Sequence, residues 1–228
     1  MTSNVTARTI SRIAAAAALG LGLTVAVAGC STAPGQTEPV GATAPATTAP
    51  TSAAEKDDDC GGQTINHAAA ITSAHDLLIE APLDHVWDVQ TDVENWDSWQ
   101  DAVQSINRLD TGALASGSQF RWTTPVPESQ LSPADTLAID STVMQVDPEA
   151  CIIWEGPAVG AAVQIEQGVH LWTFTAVDGG TLVHTEESWD AELLASLEGA
   201  DADAAETMLG GGLVVWLENL KAEAESTL

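Results

Sequence analysis

Six consecutive segments alternate apolar and polar residues with period two: "AVQSINRL" (102–109), "GSQFRWTT" (117–124), "TLAIDSTVMQV" (136–146), "CIIWEG" (151–156), "GVHLWTFTAV" (168–177) and "TLVHTEESW" (181–189). Alternation of this kind places successive side chains on opposite faces of a strand. Asp147-Pro148 and Asp178-Gly179-Gly180 are the clearest turns between the segments, and strands so close in sequence pair as an antiparallel meander. A further strand reads in "AITSAHDLLIEA" (70–81), ahead of Pro82, which suits the first turn of a helix. Val86, Trp87, Val89, Val93 and Trp96 then recur at three- and four-residue spacing, predicting one or two short helices. From residue 201 the period is helical again: Asp201 or Asp203 can cap the start, and Met208, Leu209, Val215, Trp216 and Leu220 form an apolar side. The expected fold is α+β, with helices on one face of a curved, seven-stranded antiparallel sheet.

The first thirty residues belong to no such domain. Arg8 and Arg12 precede an uncharged run from Ile13 to Ala28, sixteen residues long and followed by Gly29 and Cys30. A spanning helix needs roughly 20 apolar residues, so this reads as an export signal. Its ending, "VAGC", resembles a bacterial lipobox. That resemblance implies cleavage before Cys30, a lipid on its sulfur, and an exported protein anchored to the outer face of the cell membrane. Ser31 to about Asp59 is rich in Thr, Ala and Pro, with no aromatic residue, and cannot bury enough to offset chain entropy. The expected organisation is therefore signal 1–29, disordered tether 30–62 and a single domain 63–228. Outside the cytoplasm, Cys60 and Cys151 can form a disulfide or remain as two inert thiols.

The chain carries 33 acids against 6 Lys and Arg, a formal net charge of −27. Signal cleavage would leave four basic residues, 4 − 33 = −29. Such a surface repels phosphate backbones and anionic headgroups, which argues against nucleic-acid partners and leaves the lipid as the membrane tie. No H-x-H, H-E-x-x-H or C-x-x-C spacing points to a metal, no Walker loop or dinucleotide fingerprint to a cofactor, and no feature to a protein partner.

The order of elements, with "IEAPLDHVWDVQTDVENWDSWQ", "LASGSQFRW", "VMQVDPEACIIWEG", "HLWTF", "GGTLVHTEES" and "VVWLENLKAEAE", resembles the START-like superfamily of helix-grip domains, particularly its bacterial polyketide cyclase/dehydrase branch. The resemblance spans residues 70–226. It implies a seven-stranded sheet gripping a long C-terminal helix around an apolar cavity that takes a lipid, a polyketide or another small hydrophobic molecule. Some members of the superfamily catalyse cyclisation or dehydration there.

Strand parity nominates the wall. Phe120 and Trp122 share a phase, as do Leu137, Ile139, Ser141 and Val143; His170, Trp172 and Phe174; and Val183, Thr185, Glu187 and Trp189. Trp154, and Gly211 and Val215 of the terminal helix, complete the candidate ligand-binding set. Large apolar residues with a few polar ones suit either a lined pocket or a solid core, and the resemblance favours the pocket. "LGGGL" (209–213) lies in the helix, where glycine costs roughly 1 kcal/mol against alanine; it reads as room for a ligand or a hinge, or equally as close packing or a break. Glu187 matches a glutamate that points into the cavity in several relatives, and it is the first candidate for acid–base chemistry, with His170 second. Arg121 and His184 have outward phase. The three tryptophans of residues 81–100, Trp87, Trp96 and Trp99, read as architecture, with Trp96 or Trp99 the expected point of any ligand contact.

Overall fold

The computed structural model describes residues 60–228. Seven strands form one antiparallel sheet in the order β1-β7-β6-β5-β4-β3-β2, with β1 spanning Ile71–Ile79, β2 Ser105–Arg108, β3 Gln119–Val126, β4 Asp135–Asp147, β5 Cys151–Val159, β6 Gln164–Val177 and β7 Gly180–Asp190. The meander expected from the sequence is present. Helices α1 (Leu83–Thr91) and α2 (Trp96–Trp99), joined by a single 3-10 turn at Val93–Asn95, carry the chain from one sheet edge to the other. A short α3 (Glu192–Ala195), which the periodicity did not indicate, precedes α4 (Ala200–Ser226), which runs unbroken through the glycines.

Pro82 sits just ahead of α1, and its carbonyl accepts the first helical hydrogen bond, from Val86 N at 3.0 Å. At α4 the capping expectation fails: Gly199, at φ 55°, occupies the cap, and Asp201 and Asp203 lie inside the first turn. There they oppose the positive end of the helix dipole without bonding to it.

Buried amides tie the helices together. Gln90 of α1 accepts from Trp216 Nε1 through its side chain (3.2 Å) and from Trp96 Nε1 through its carbonyl (2.9 Å), while Gln100 Oε1 accepts from Asn219 Nδ2 at 2.9 Å. Trp96, fully buried, is the hub of the inner core, making edge-on contacts with Phe120, Trp122 and Trp216. Trp87 meets Phe174 edge-on at 5.3 Å.

On the outer face, Cys60 and Cys151 form a disulfide, with Ile65, Ile153, Val169 and Leu171 packed beside it. Cys60 is buried, so Cys60 to Gln63, at the expected end of the tether, begins the folded domain. Closing a loop with a sequence separation of 91 removes roughly 4.6 kcal/mol of unfolded-state chain entropy. Arg121 and His184 do lie outward. Arg121 forms a two-pronged pair with Asp140, and His184 is held between Asp76 and Glu186 at 3.0 Å each. The expected signal over residues 1–29, Cys30 and the expected tether up to Asp59 lie outside the described residues.

Candidate functional site

The inner face of the sheet is divided along the strand direction. Toward the β4–β5 and β6–β7 turns it is solid, filled by Phe120, Val143, Ile152, Trp172, Phe174 and Val183 packed beneath α1, α2 and the C-terminal half of α4. Toward the β3–β4 and β5–β6 turns it encloses a cavity of about 490 Å³.

Nine of the fourteen sequence-nominated residues line this cavity: Trp122, Ile139, Ser141, Trp154, His170, Glu187, Trp189, Gly211 and Val215. The other five do not reach it. Phe120, Val143, Trp172 and Phe174 share the inward phase but lie at the solid end, and Thr185, also inward, is buried behind His170. Parity gives the face and not the position along the strand. Trp96 and Trp99 do not line the cavity either, because α2 covers the solid end.

The wall also includes Val126, Leu137, Gly156, Ala158, Ile165 and Gly168 from the sheet and Met208, Leu209, Gly212, Leu213 and Trp216 from α4. Three of the strand residues among them, Val126, Ala158 and Ile165, fall in strand extensions beyond the alternating segments, where Pro125 and Pro157 disguise strand as turn sequence. Gly156 is fixed by space: at the irregularity where β5 meets β6, a Cβ there would lie 1.8 Å from Asp140 O. Leu137 shared the inward phase of Ile139 and Ser141 and lines the cavity, although it was not among the fourteen candidates.

The glycines of α4 divide between the two readings. A Cβ on Gly210 would meet Ser73 Oγ at 3.0 Å and His75 Nε2 at 3.1 Å, so this glycine serves close packing against β1. Gly211 and Gly212 face open space and line the cavity. With exposed Pro125, Pro127, Asp101 and Val215 they border its mouth. Asp135 braces that end: its carboxylate accepts from the backbone N–H groups of Thr136, Ala161, Ala162 and Val163, joining the β3–β4 and β5–β6 connections, and these bonds lower its pKa to about 2.

A septum of rings separates cavity from core. Trp122 lies 5.4 Å from Trp216, Trp154 lies 4.9 Å from His170, and His170 lies 5.7 Å from Trp216. His170 Nε2 is 2.9 Å from Thr185 Oγ1, whose own proton goes to Leu171 O at 3.1 Å. The threonine oxygen must therefore accept, which fixes the Nε2–H tautomer of a neutral imidazole. Burial lowers the His170 pKa to about 3, so the ring is a weak base. Directly across the ladder, Glu187 takes one hydrogen bond, from Trp189 Nε1 to Oε1 at 2.9 Å. Burial raises its pKa to about 7, which the indole N–H partly opposes. The carboxyl thus exchanges a proton near neutrality, whereas the imidazole does not. Among the described residues no group of three or more His, Cys, Asp or Glu is arranged to hold a metal, and no helix is long and apolar enough to cross a membrane.

Residues 71–225 match the model of a family described as polyketide cyclase / dehydrase and lipid transport. No curated protein matches the chain. Among solved structures, a START superfamily protein from Mycobacterium smegmatis superposes with a TM-score of 0.52 at 11% identity, covering 69% of this chain and 99% of that one. A Thermus thermophilus protein gives 0.53 at 14% identity, over 68% and 98%. The di-domain ARO/CYC StfQ of the steffimycin biosynthetic pathway gives 0.54 at 14% identity, over 69% of this chain and 51% of that one. At these identities the likeness is one of fold, the seven-stranded sheet with its short helices and long C-terminal helix.

Proposed function

The chain belongs to the polyketide cyclase/dehydrase and lipid-transport family, and on that premise we propose that its domain reversibly binds a small hydrophobic molecule and carries it outside the cytoplasm. The observation that carries this reading is the cavity itself: about 490 Å³, walled by aliphatic and indole side chains with few polar groups among them. An apolar wall with a small number of orienting groups is the pattern of a small-molecule site. The export signal, the lipobox at Cys30 and the Thr/Ala/Pro-rich tether supply the location in this reading. Cys60, the first described residue, is bonded at the start of β5, the sheet end remote from the mouth. Native mass spectrometry of the purified protein tests the reading. A co-purifying hydrophobic molecule, released by organic extraction and rebound in a saturable manner, supports it; a protein that binds neither extracted lipid nor an apolar dye contradicts it.

One observation favours a second reading, a cyclase or dehydratase acting on a polyketide-like substrate. Glu187 lines the cavity with its pKa raised to about 7, where a carboxyl can give or take a proton at low cost. The likeness to StfQ lends it a fold and no residues. His170 does not serve as the complementary base, because its Nε2–H is committed to Thr185 and its ring resists protonation. Turnover of a polyketide-like substrate that is lost in Glu187→Gln would establish this reading over that of a carrier.

A further inference from the structure

The cavity has an unbalanced chemistry. Of the four tryptophans on its wall, three commit their N–H groups to protein: Trp122 donates to Ser141 Oγ at 3.1 Å, Trp189 to Glu187 Oε1 at 2.9 Å and Trp216 to Gln90 Oε1 at 3.2 Å. His170 likewise commits its one N–H to Thr185, which leaves Nδ1 as an acceptor. Those side chains offer the cavity rings and acceptors, and the donors that remain on the wall are the Trp154 N–H and the hydroxyls of Ser141 and Thr124, all neutral.

Charge is as one-sided as hydrogen bonding. No Lys or Arg lines the cavity, and each of the three among the described residues is engaged elsewhere: Arg108 with Asp110, Arg121 with Asp140 and Lys221 with Glu225. The acids present are Glu187 within and Asp101 at the mouth. Trp189 satisfies only Oε1 of Glu187, so Oε2 is left for an occupant. A ligand carboxylate would enter a low-dielectric space with no cation and few donors to replace its water, beside a carboxyl that it would hold in the neutral form. An ammonium would find the reverse, with a carboxylate to pair with and indole faces that attract cations.

Resting on the reading of the cavity as a hydrophobic-ligand site, we propose that its ligand is a hydrophobic amine, seated with its apolar body against the indoles and its protonated nitrogen on Glu187 Oε2. The elevated pKa of Glu187 supports this, since a carboxyl kept from ionising by burial ionises readily once a cation arrives. The acidic exterior, at a net charge of −27, raises the local concentration of such ligands and lowers that of fatty acids.

The test uses matched twelve-carbon probes, dodecylamine, dodecanol and dodecanoate, each displacing neutral Nile red from the purified protein at pH 7 and physiological salt. The expected order is amine over alcohol by at least about tenfold and alcohol over carboxylate by a similar factor, each at one molecule per chain. In E187Q, with its fold checked by circular dichroism, the amine should come within about twofold of the alcohol. Equal affinities for the three probes, or a carboxylate that matches the amine, overturn the proposal and leave the carrier reading intact. An amine that keeps its full advantage in E187Q also overturns it, because the acidic surface as a whole would then be the source. Failure of Nile red and all three probes to bind removes the carrier reading and this proposal together. The wild-type ranking decides the matter even where the variant does not fold.

Discussion

At one end of the sheet's inner face, Phe120, Val143, Trp172, Phe174 and Val183 pack against one another and under the Trp96 hub with almost no exposed surface. At the other end, Leu137, Ile139, Ser141, Glu187 and Trp189, on the same strands and in the same phase, surround about 490 Å³ of space. Strand composition does not separate the ends, since large apolar residues occur at both. What lies above them does. The solid end is covered by α1, α2 and the Trp216-to-Ala224 stretch of α4, with Trp96 inserted as a plug; the open end is covered by the stretch of α4 that carries Gly211 and Gly212. Whether this domain has a cavity is thus decided by one buried indole at one end and by side chains withheld at the other.

The largest expected contrast comes from truncating the same face at its two ends. Phe120→Ala should cost about 3–5 kcal/mol, because its neighbours are close-packed and a void must open. Ile139→Ala, which already borders space, should cost about 1 kcal/mol. Chemical denaturation of both variants measures the difference, and equal losses would mean that the open end is packed as tightly as the solid one.

Glu187→Gln should stabilise the protein by on the order of 2 kcal/mol above pH 7. The sign follows from a folded pKa raised to about 7 from an ordinary 4.5. The carboxyl carries no penalty below about pH 4.5, where it is protonated folded or unfolded, and the penalty accrues as pH rises to 7. Thermal melting across pH 4–8 should show the variant and wild type converging at the acid end. A constant offset would place Glu187 in contact with bulk water.

The glycines should separate as the two ends do. Gly211→Ala, into open space, should gain about 1 kcal/mol of helix propensity, and Gly210→Ala, against Ser73 and His75, clearly less. Equal gains would show that close packing on β1 is not what holds Gly210. The smallest effect belongs to the mouth. Asp135→Asn should leave global stability nearly unchanged and speed hydrogen exchange at Ala162 and Val163, whose N–H groups it holds. In wild type the same loosening should appear only below about pH 4, because a depressed carboxylate pKa stabilises above its unfolded value and is lost as pH falls through about 2.

These two ends were unequally legible in the sequence. Alternation fixed seven strands and their inward phase, since every residue of a strand reports parity. It held best for β6 and β7, where long uninterrupted runs left one assignment. It said nothing of distance along the strand, so Phe174 and His170 looked equivalent although one is core and the other wall. It faltered at the open end, where Pro125 and Pro157 read as loop and the alternation stopped at Gly156 and began only at Gly168, although β5 runs on to Val159 and β6 starts at Gln164. The helix-spaced Trp96 was recognisable as architecture, but its central place depends on the long return of α4, a contact that no local pattern encodes. The three consecutive glycines were visible and their meaning was not, because one packs and two line a void, a difference of facing set by which strand lies beneath.

The most direct test of an open, ligand-accepting cavity is a plug at the helix. Gly212 has Met208, Leu209, Val215 and Trp216 of the cavity wall three or four residues to either side, so Gly212→Trp projects an indole into the space from the middle of that face. Titration with Nile red should give saturable binding at one site per wild-type chain and a loss of at least tenfold in affinity for Gly212→Trp, with its melting temperature maintained. Undiminished binding by the plugged variant, or no saturable site in wild type, would contradict the account.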